Sequence, residues 1–402
     1  DIIASGTLSL ETSFESLWRK FNDFSHLTGS REVMFVQPFG NGRGRWNYAH
    51  AYPHTNNSPF IADKASKGGA TGANPTLWWK YGKDDVRRDL SLVFMRWNQD
   101  AADGNGGWEM RNASNCYFGK YRYEWMIDFQ GGTGDGCKPI VMRYADVYLM
   151  AAEIAAYLSE ADGGGLAKAK SYLGEVRRRA YAGHEDEADA YVSALTLGSA
   201  AGNDNAAVSD YKAAGTIMKA IIDERALEFV GEFLRKQDLI RWGLLKIKLD
   251  EASADMKSLA MMTGDYAAYA AYTEPKEVKN SKGDKVLATF DTYYTYWREK
   301  GQGIEVYGLE ADQIGKIPAG YNGKEDDGGW NRLDFLSQGV FYQVSSSAST
   351  EATYQDEKSY RWMYFYNNPY NDPYPRSTWP LFGQNLSNAQ GSLVNDFGYD
   401  NL

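Results

Sequence analysis

The strongest constraint in this chain is a change of texture at Arg143. From there to Gly243 apolar residues recur at helical spacing, whereas the flanking segments hold no sustained period. Residues 143–159 place Val147, Met150, Ala151, Ile154 and Leu158 on one stripe, which predicts an amphipathic helix. The run Gly163-Gly164-Gly165 stops it, and residues 166–181 carry Leu166, Ala169, Leu173 and Val176 on one face. Residues 217–242 read as the longest helix, with Ile217, Ile221, Leu227, Val230 and Leu234 inward and Gly243 as its stop. Two antiparallel helices joined by a glycine turn, with a third packed on them, make a helical-hairpin core.

Outside this block the elements are short. Phe14, Leu17, Trp18 and Phe21 predict a helix over 14–24, and the apolar run 32–38 a strand ending at Pro38. Residues 40–74 read as long ordered loops, 84–94 as a helical turn followed by a strand, 261–272 as a small helix, and the aromatic run 289–297 as a strand. The expected fold is mainly α, with long irregular loops and a few short strands. Its expected parts are a loop-rich segment 1–137, a helical core 138–249 and a loop- and aromatic-rich region 250–402, all within one domain.

Composition removes several function classes. A net charge of -10 with scattered basic residues offers no phosphate-binding face, so no nucleic-acid partner is expected. No apolar run is long enough to span a membrane as a helix. Two cysteines and four histidines form no CxxC, HExxH or histidine cluster, so neither a metal nor a cofactor is expected. Cys116 and Cys137 could pair or stay reduced. The glycine run 131–136 lacks a phosphate-loop lysine, and the acidic turns 103–107 and 326–329 lack the closing glutamate of a calcium loop.

Two motifs are more specific. The first is Arg143-Tyr144-Ala145-Asp146-Val147-Tyr148-Leu149-Met150-Ala151-Ala152-Glu153. The second runs Glu224-Arg225-Ala226-Leu227-Glu228-Phe229-Val230-Gly231-Glu232-Phe233-Leu234-Arg235-Lys236-Gln237-Asp238-Leu239-Ile240-Arg241-Trp242-Gly243. In the second, Glu232, Arg235, Asp238 and Arg241 follow one another at i,i+3, which predicts a ladder of ion pairs along one helix face. A catalytic reading would make an acid/base pair of two among Glu224, Glu228 and Glu232. Alternating charges favour structural ion pairs.

Both motifs resemble those of the SusD/RagB family. Looser similarity extends over the amino-terminal Ile-Ile-Ala-Ser-Gly segment and the carboxy-terminal Gln384-Asn385 and Gly398-Tyr399 elements. The resemblance implies a helical core of tetratricopeptide-like hairpins and a non-enzymatic, cell-surface glycan-binding protein. Such a protein delivers ligand to a SusC-like TonB-dependent outer-membrane transporter and is lipid-anchored in its full-length form. It also implies further amino-terminal helical repeats, absent here, as a packing partner. An apolar face on residues 143–181 is therefore expected to stay open.

Sugars present apolar C–H faces edged with hydroxyls, so flat aromatic rings beside polar groups are the residues to seek. The chain holds 29 Tyr, 17 Phe and 12 Trp. Loop aromatics include Trp46, Tyr48, Trp78, Trp79, Trp108, Trp362, Tyr364 and Tyr366. By region, the resemblance points to residues 250–345, where Tyr294, Trp297 and Trp330 are the expected platform. Asp291, Arg298, Asn331 and Asp327 are their expected polar neighbours. Two alternatives stay open: a secreted glycoside hydrolase with two carboxylates across an aromatic cleft, and a binder of peptide or another nutrient on the same scaffold.

Overall fold

The structure is a computed structural model. It describes residues 2–40, 42–101, 105–127, 134–159, 164–198, 210–279, 285–323 and 329–337. Helix α1 (Phe14–Asn22) is capped by the Ser13 hydroxyl, which accepts from the Ser16 amide, and buries Phe14, Leu17, Trp18 and Phe21 as its spacing requires. Strand β1 (Val33–Val36) pairs antiparallel with β6 (Ile140–Arg143). Between them lie a 3-10 helix (Pro75–Lys80), a helical turn (Arg88–Ser91), and β2 (Leu92–Val93), β3 (Met95–Asn98), β4 (Gly107–Met110) and β5 (Tyr117–Phe118). These four form two small antiparallel pairs, β2 with β5 and β3 with β4.

The helical block follows: α2 (Tyr144–Tyr157), α3 (Gly165–Ala180), α4 (Glu185–Ala194), α5 (Ile217–Glu228), α6 (Arg235–Arg241) and α7 (Leu245–Met261). It has its own core, in which Leu149, Ala152, Ala156, Ala169, Leu173, Val176, Ile217 and Ile221 are buried. The α2 stripe differs from its expected place. The helix turns its alanines and Leu149 inward, because small residues let α3 approach closely, and leaves Ile154 (57%) and Leu158 (53%) exposed. The hairpin thus carries open apolar side chains, although not over the whole expected face.

Residues 217–242 are not one helix. Gly231 (φ +76°) and Phe233 (φ +62°) break the run between α5 and α6. A β-carbon at Gly231 would lie 2.9 Å from the Phe118 ring, so glycine is required there for close approach as well as for its backbone conformation. The expected ladder consequently survives only at Asp238–Arg241 (3.0 Å). Glu232, inside the break, turns instead to Lys120 (2.6 Å) and Arg143 (2.8 Å), and Arg235 donates to the Ile222 carbonyl. The small helix expected over 261–272 is present but shorter: α7 ends at Met261, Met262 adopts the left-handed conformation (φ +49°), and a 3-10 turn (Gly264–Tyr266) leads into a four-residue helix (Ala267–Ala270).

The region after α7 contains β7 (Glu274–Lys279), the 15-residue β8 (Lys285–Glu299), β9 (Ile304–Tyr307) and β10 (Asn331–Ser337). They form one antiparallel sheet in which β8 pairs with β10, β7 and β9. It packs on the larger core, through Tyr293, Phe335 and Leu336. The chain is mainly helical, with long irregular connections and, β8 apart, short strands.

Candidate functional site

The alternation of β8 decides which of the expected residues can act together, since successive side chains point to opposite faces. Tyr293, Thr295 and Trp297 face the core. The Tyr293 hydroxyl donates to the Gly308 carbonyl (2.6 Å), Thr295 reaches Met110, and Trp297 packs against the buried cluster. Tyr294, Tyr296 and Arg298 lie on the opposite face, where Tyr296 is itself buried. Arg332 lies 4.0 Å over the Tyr294 ring, Tyr296 meets Tyr321 edge-on at 4.8 Å, and Arg298 lies 4.6 Å over Trp330, which also meets Tyr307 at 6.0 Å.

The structure therefore brings Tyr294, Arg298 and Trp330 to one face and places Trp297 on the other. Asn331 stands in register with Trp297, and exposed Asp291 with Pro275. Asp327 lies outside the described residues, as do Trp362, Tyr364, Tyr366 and the carboxy-terminal motifs. Trp330 is 7% exposed, hence a supporting ring beneath Arg298. Tyr294, Tyr307 and Tyr321 keep partly open surfaces. Around them Arg298 pairs with Glu305 (2.6 Å), Arg332 with Glu274 (3.2 Å), and Asp334 with Lys276. The face is aromatic, rimmed by paired charges and close to neutral.

A cleft of about 280 Å³ opens on the core side of β9. Leu92, Val93, Met95, Ile304, Val306 and Leu309 line it, with Arg88 at its edge stacked 4.2 Å over Trp78 and paired with Asp89 and Glu310. Trp78 donates from its indole N–H to Asp89 (3.0 Å). Only Trp78 among these residues stood out in sequence. Nothing in the spacing of Arg88, Asp89 and Glu310 foretells their meeting.

The motif carboxylates lie elsewhere, inside a buried ion cluster. Arg143 donates to Glu32 (2.9 Å), Glu228 (2.6 Å) and Glu232. Arg87 reaches Asp85, Glu224 and Glu228; Arg179 reaches Glu32 and Glu228; Arg177 reaches Glu224. Burial alone would raise the Glu228 carboxyl, but the Arg143, Arg179 and Arg87 guanidiniums outweigh it and hold the group well below its ordinary range. Lys120 is pushed down to about 8 by burial, which the Glu232 carboxylate beside it only partly opposes. A carboxylate clamped by three guanidiniums can neither take up nor release a proton near neutral pH.

A second cluster has the composition of a hydrolytic triad. Ser58 Oγ lies 2.8 Å from His54 Nδ1, and His54 Nε2 lies 3.8 Å from Glu124, which accepts from the Tyr52 hydroxyl. All four side chains are buried, and Phe60, Trp97, Trp108 and Tyr123 surround the imidazole. Burial lowers His54 to about 3. A nucleophile sealed in this way meets no substrate. Cys116 and Cys137 are both reduced and buried.

The family description "SusD family" matches residues 37–399. The chain belongs to the SusD family. A SusD-like protein (P25) of Formosa agariphila is 39% identical over 168 residues, which cover 41% of this chain and 24% of that protein. A SusD homologue of Bacteroides thetaiotaomicron, solved by crystallography, shares 20% identity over 65% of this chain and 50% of its own, with a TM-score of 0.47. A laminarin-binding SusD-like protein shares 20% identity over 61% of this chain and 48% of its own, with a TM-score of 0.38. The alignments thus span half or less of these relatives' lengths. Among the described residues no helix is long and apolar enough to cross a membrane.

Proposed function

We propose that the chain captures a glycan at the outer-membrane surface and passes it intact to a SusC-like TonB-dependent transporter, held at the membrane by a lipid anchor of the full-length protein. Family membership supports the binding role, and a laminarin-binding relative supports sugar as the ligand. The observation that carries the reading is the outward face of the β7–β10 sheet. There Tyr294, Tyr307 and Tyr321 offer partly open rings while Arg298, Arg332 and Asp334 offer oriented polar groups. Rings of this kind stack on sugar C–H faces, and paired rim charges leave the site nearly neutral, which suits an uncharged oligosaccharide.

A glycan array with the purified chain, followed by chain-length analysis of every hit, tests this. Binding without shortening is expected. Release of shorter products, lost on removing one carboxylate, would replace the binding role with hydrolysis, and binding confined to peptides would replace the glycan.

A further inference from the structure

Outside the sites above, three metal-ligating side chains meet at the junction of the 3-10 helix loop with α4. His184 Nδ1 lies 3.3 Å from Glu187 Oε1, and its Nε2 lies 3.8 Å from Asp84 Oδ1. One nitrogen or oxygen from each residue falls within 4.8 Å of the others. Ligand bonds to a first-row divalent ion run about 2.0–2.2 Å, which puts neighbouring donors roughly 3–3.5 Å apart. An ion would bond one imidazole nitrogen only, so one of the two carboxylates must turn to the nitrogen that the other already faces, a rotation that these partly or fully exposed side chains allow.

The backbone at this point is fixed from several directions. The Val86 amide donates to the Ala180 carbonyl (2.9 Å), tying the Asp84 loop to the end of α3, and the neighbouring Asp85 is locked to buried Arg87 (2.6 Å). His184 precedes α4, with its amide on the Tyr181 carbonyl (2.7 Å), and its carbonyl accepts from the Glu187 amide (3.0 Å). The other acid of that turn, Glu185, is already engaged with the Gly183 amide (2.9 Å). Two carboxylates and an imidazole are therefore presented by segments about a hundred residues apart, both anchored on the end of α3.

We propose that Asp84, His184 and Glu187 form a divalent transition-metal site of zinc type, completed by water, that staples the Asp84 loop to the start of α4. An imidazole with two carboxylates is a borderline donor set. It favours zinc over calcium or magnesium, whose preferred ligands are all oxygen. The site is readable against a clean background, because His26 and His54 are buried and His50 is packed between Trp46 and Phe233.

Competition of the purified chain with a chromogenic zinc chelator tests the site, with melting temperature measured alongside. One equivalent of zinc should bind. Asp84→Asn, His184→Ala and Glu187→Gln should each weaken binding at least about tenfold while leaving the metal-free melting temperature unchanged, because the three side chains are partly or fully exposed. Zinc should raise the melting temperature of the native chain, since an ion that binds only the folded state stabilises it, and should not raise that of His184→Ala. Magnesium and calcium should do neither. No stoichiometric zinc, or zinc bound as well by His184→Ala as by the native chain, overturns the proposal.

Discussion

Replacing Glu228 by glutamine preserves its shape and removes one charge from the centre of the buried ion cluster. Glu228 accepts charged hydrogen bonds from Arg87 (2.8 Å), Arg143 (2.6 Å) and Arg179 (2.5 Å). Such bonds contribute about 1.5–3 kcal/mol each, so three independent ones would give roughly 4.5–9 kcal/mol. They are not independent, for the same guanidiniums keep Asp85, Glu224, Glu32 and Glu232 as partners. The expected loss is therefore nearer the ~3–5 kcal/mol typical of breaking one side of a buried pair. Urea unfolding of both proteins at pH 7 measures it.

The pH dependence follows from the same contacts. A carboxylate held below its ordinary range stabilises the fold above the unfolded-chain value, near pH 4.3, and loses that contribution as pH falls toward its depressed folded value. The gap between wild type and Glu228→Gln should thus be full at pH 7 and shrink under acid. A loss below about 1 kcal/mol at pH 7, or a gap that widens on acidification, would refute this account of the cluster. A stable variant that had lost an activity would restore the catalytic reading of the motif.

Two further tests concern sequence-derived residues. Tyr294→Ala should weaken glycan binding about tenfold with little change in stability, whereas Trp297→Ala, half-buried against the core on the other face of β8, should cost roughly 1–3 kcal/mol of stability, measured by thermal and urea melts. The reverse assignment would mean that the strand presents its other face to ligand. Cys116 and Cys137, whose thiols burial pushes far above their ordinary range, should resist a water-soluble thiol reagent in the folded chain and react at once in denaturant. Fast labelling of the native chain would show that the region around them opens.

The parts legible in the sequence were those with strong local signals. The Phe14, Leu17, Trp18, Phe21 spacing gave α1, and Ala169, Leu173 and Val176 gave the inward face of α3. The aromatic run gave the centre of β8, although not its full 15 residues. Failures came where tertiary contact overrides local pattern. Leu149 and the alanines beat Ile154 and Leu158 to the core of the hairpin because close packing against α3 rewards small residues there. Gly231 was visible, but its reason, the Phe118 ring standing where a β-carbon would go, comes from about a hundred residues away. At the candidate site, alternation would have separated Tyr294 from Trp297 had the strand been placed first. The Asp84, His184 and Glu187 group had no sequence signal at all, since no motif spans its gaps.

The buried ion cluster also governs how the chain can reach its fold. Its five cations (Arg87, Lys120, Arg143, Arg177, Arg179) and five anions (Glu32, Asp85, Glu224, Glu228, Glu232) include bonded partners as much as 147 residues apart in sequence. Charges leave water without great cost only when their partners arrive too. A half-assembled cluster would strand unpaired ions in a dry interior at a cost of roughly 3–5 kcal/mol, so the site is expected to close late and together. Contacts of such long sequence separation are slow to form. The helical hairpin should consequently appear early and wait for residues 32, 85–87 and 120 to lock it, so that a cut between these segments would forfeit the locked state rather than merely weaken it.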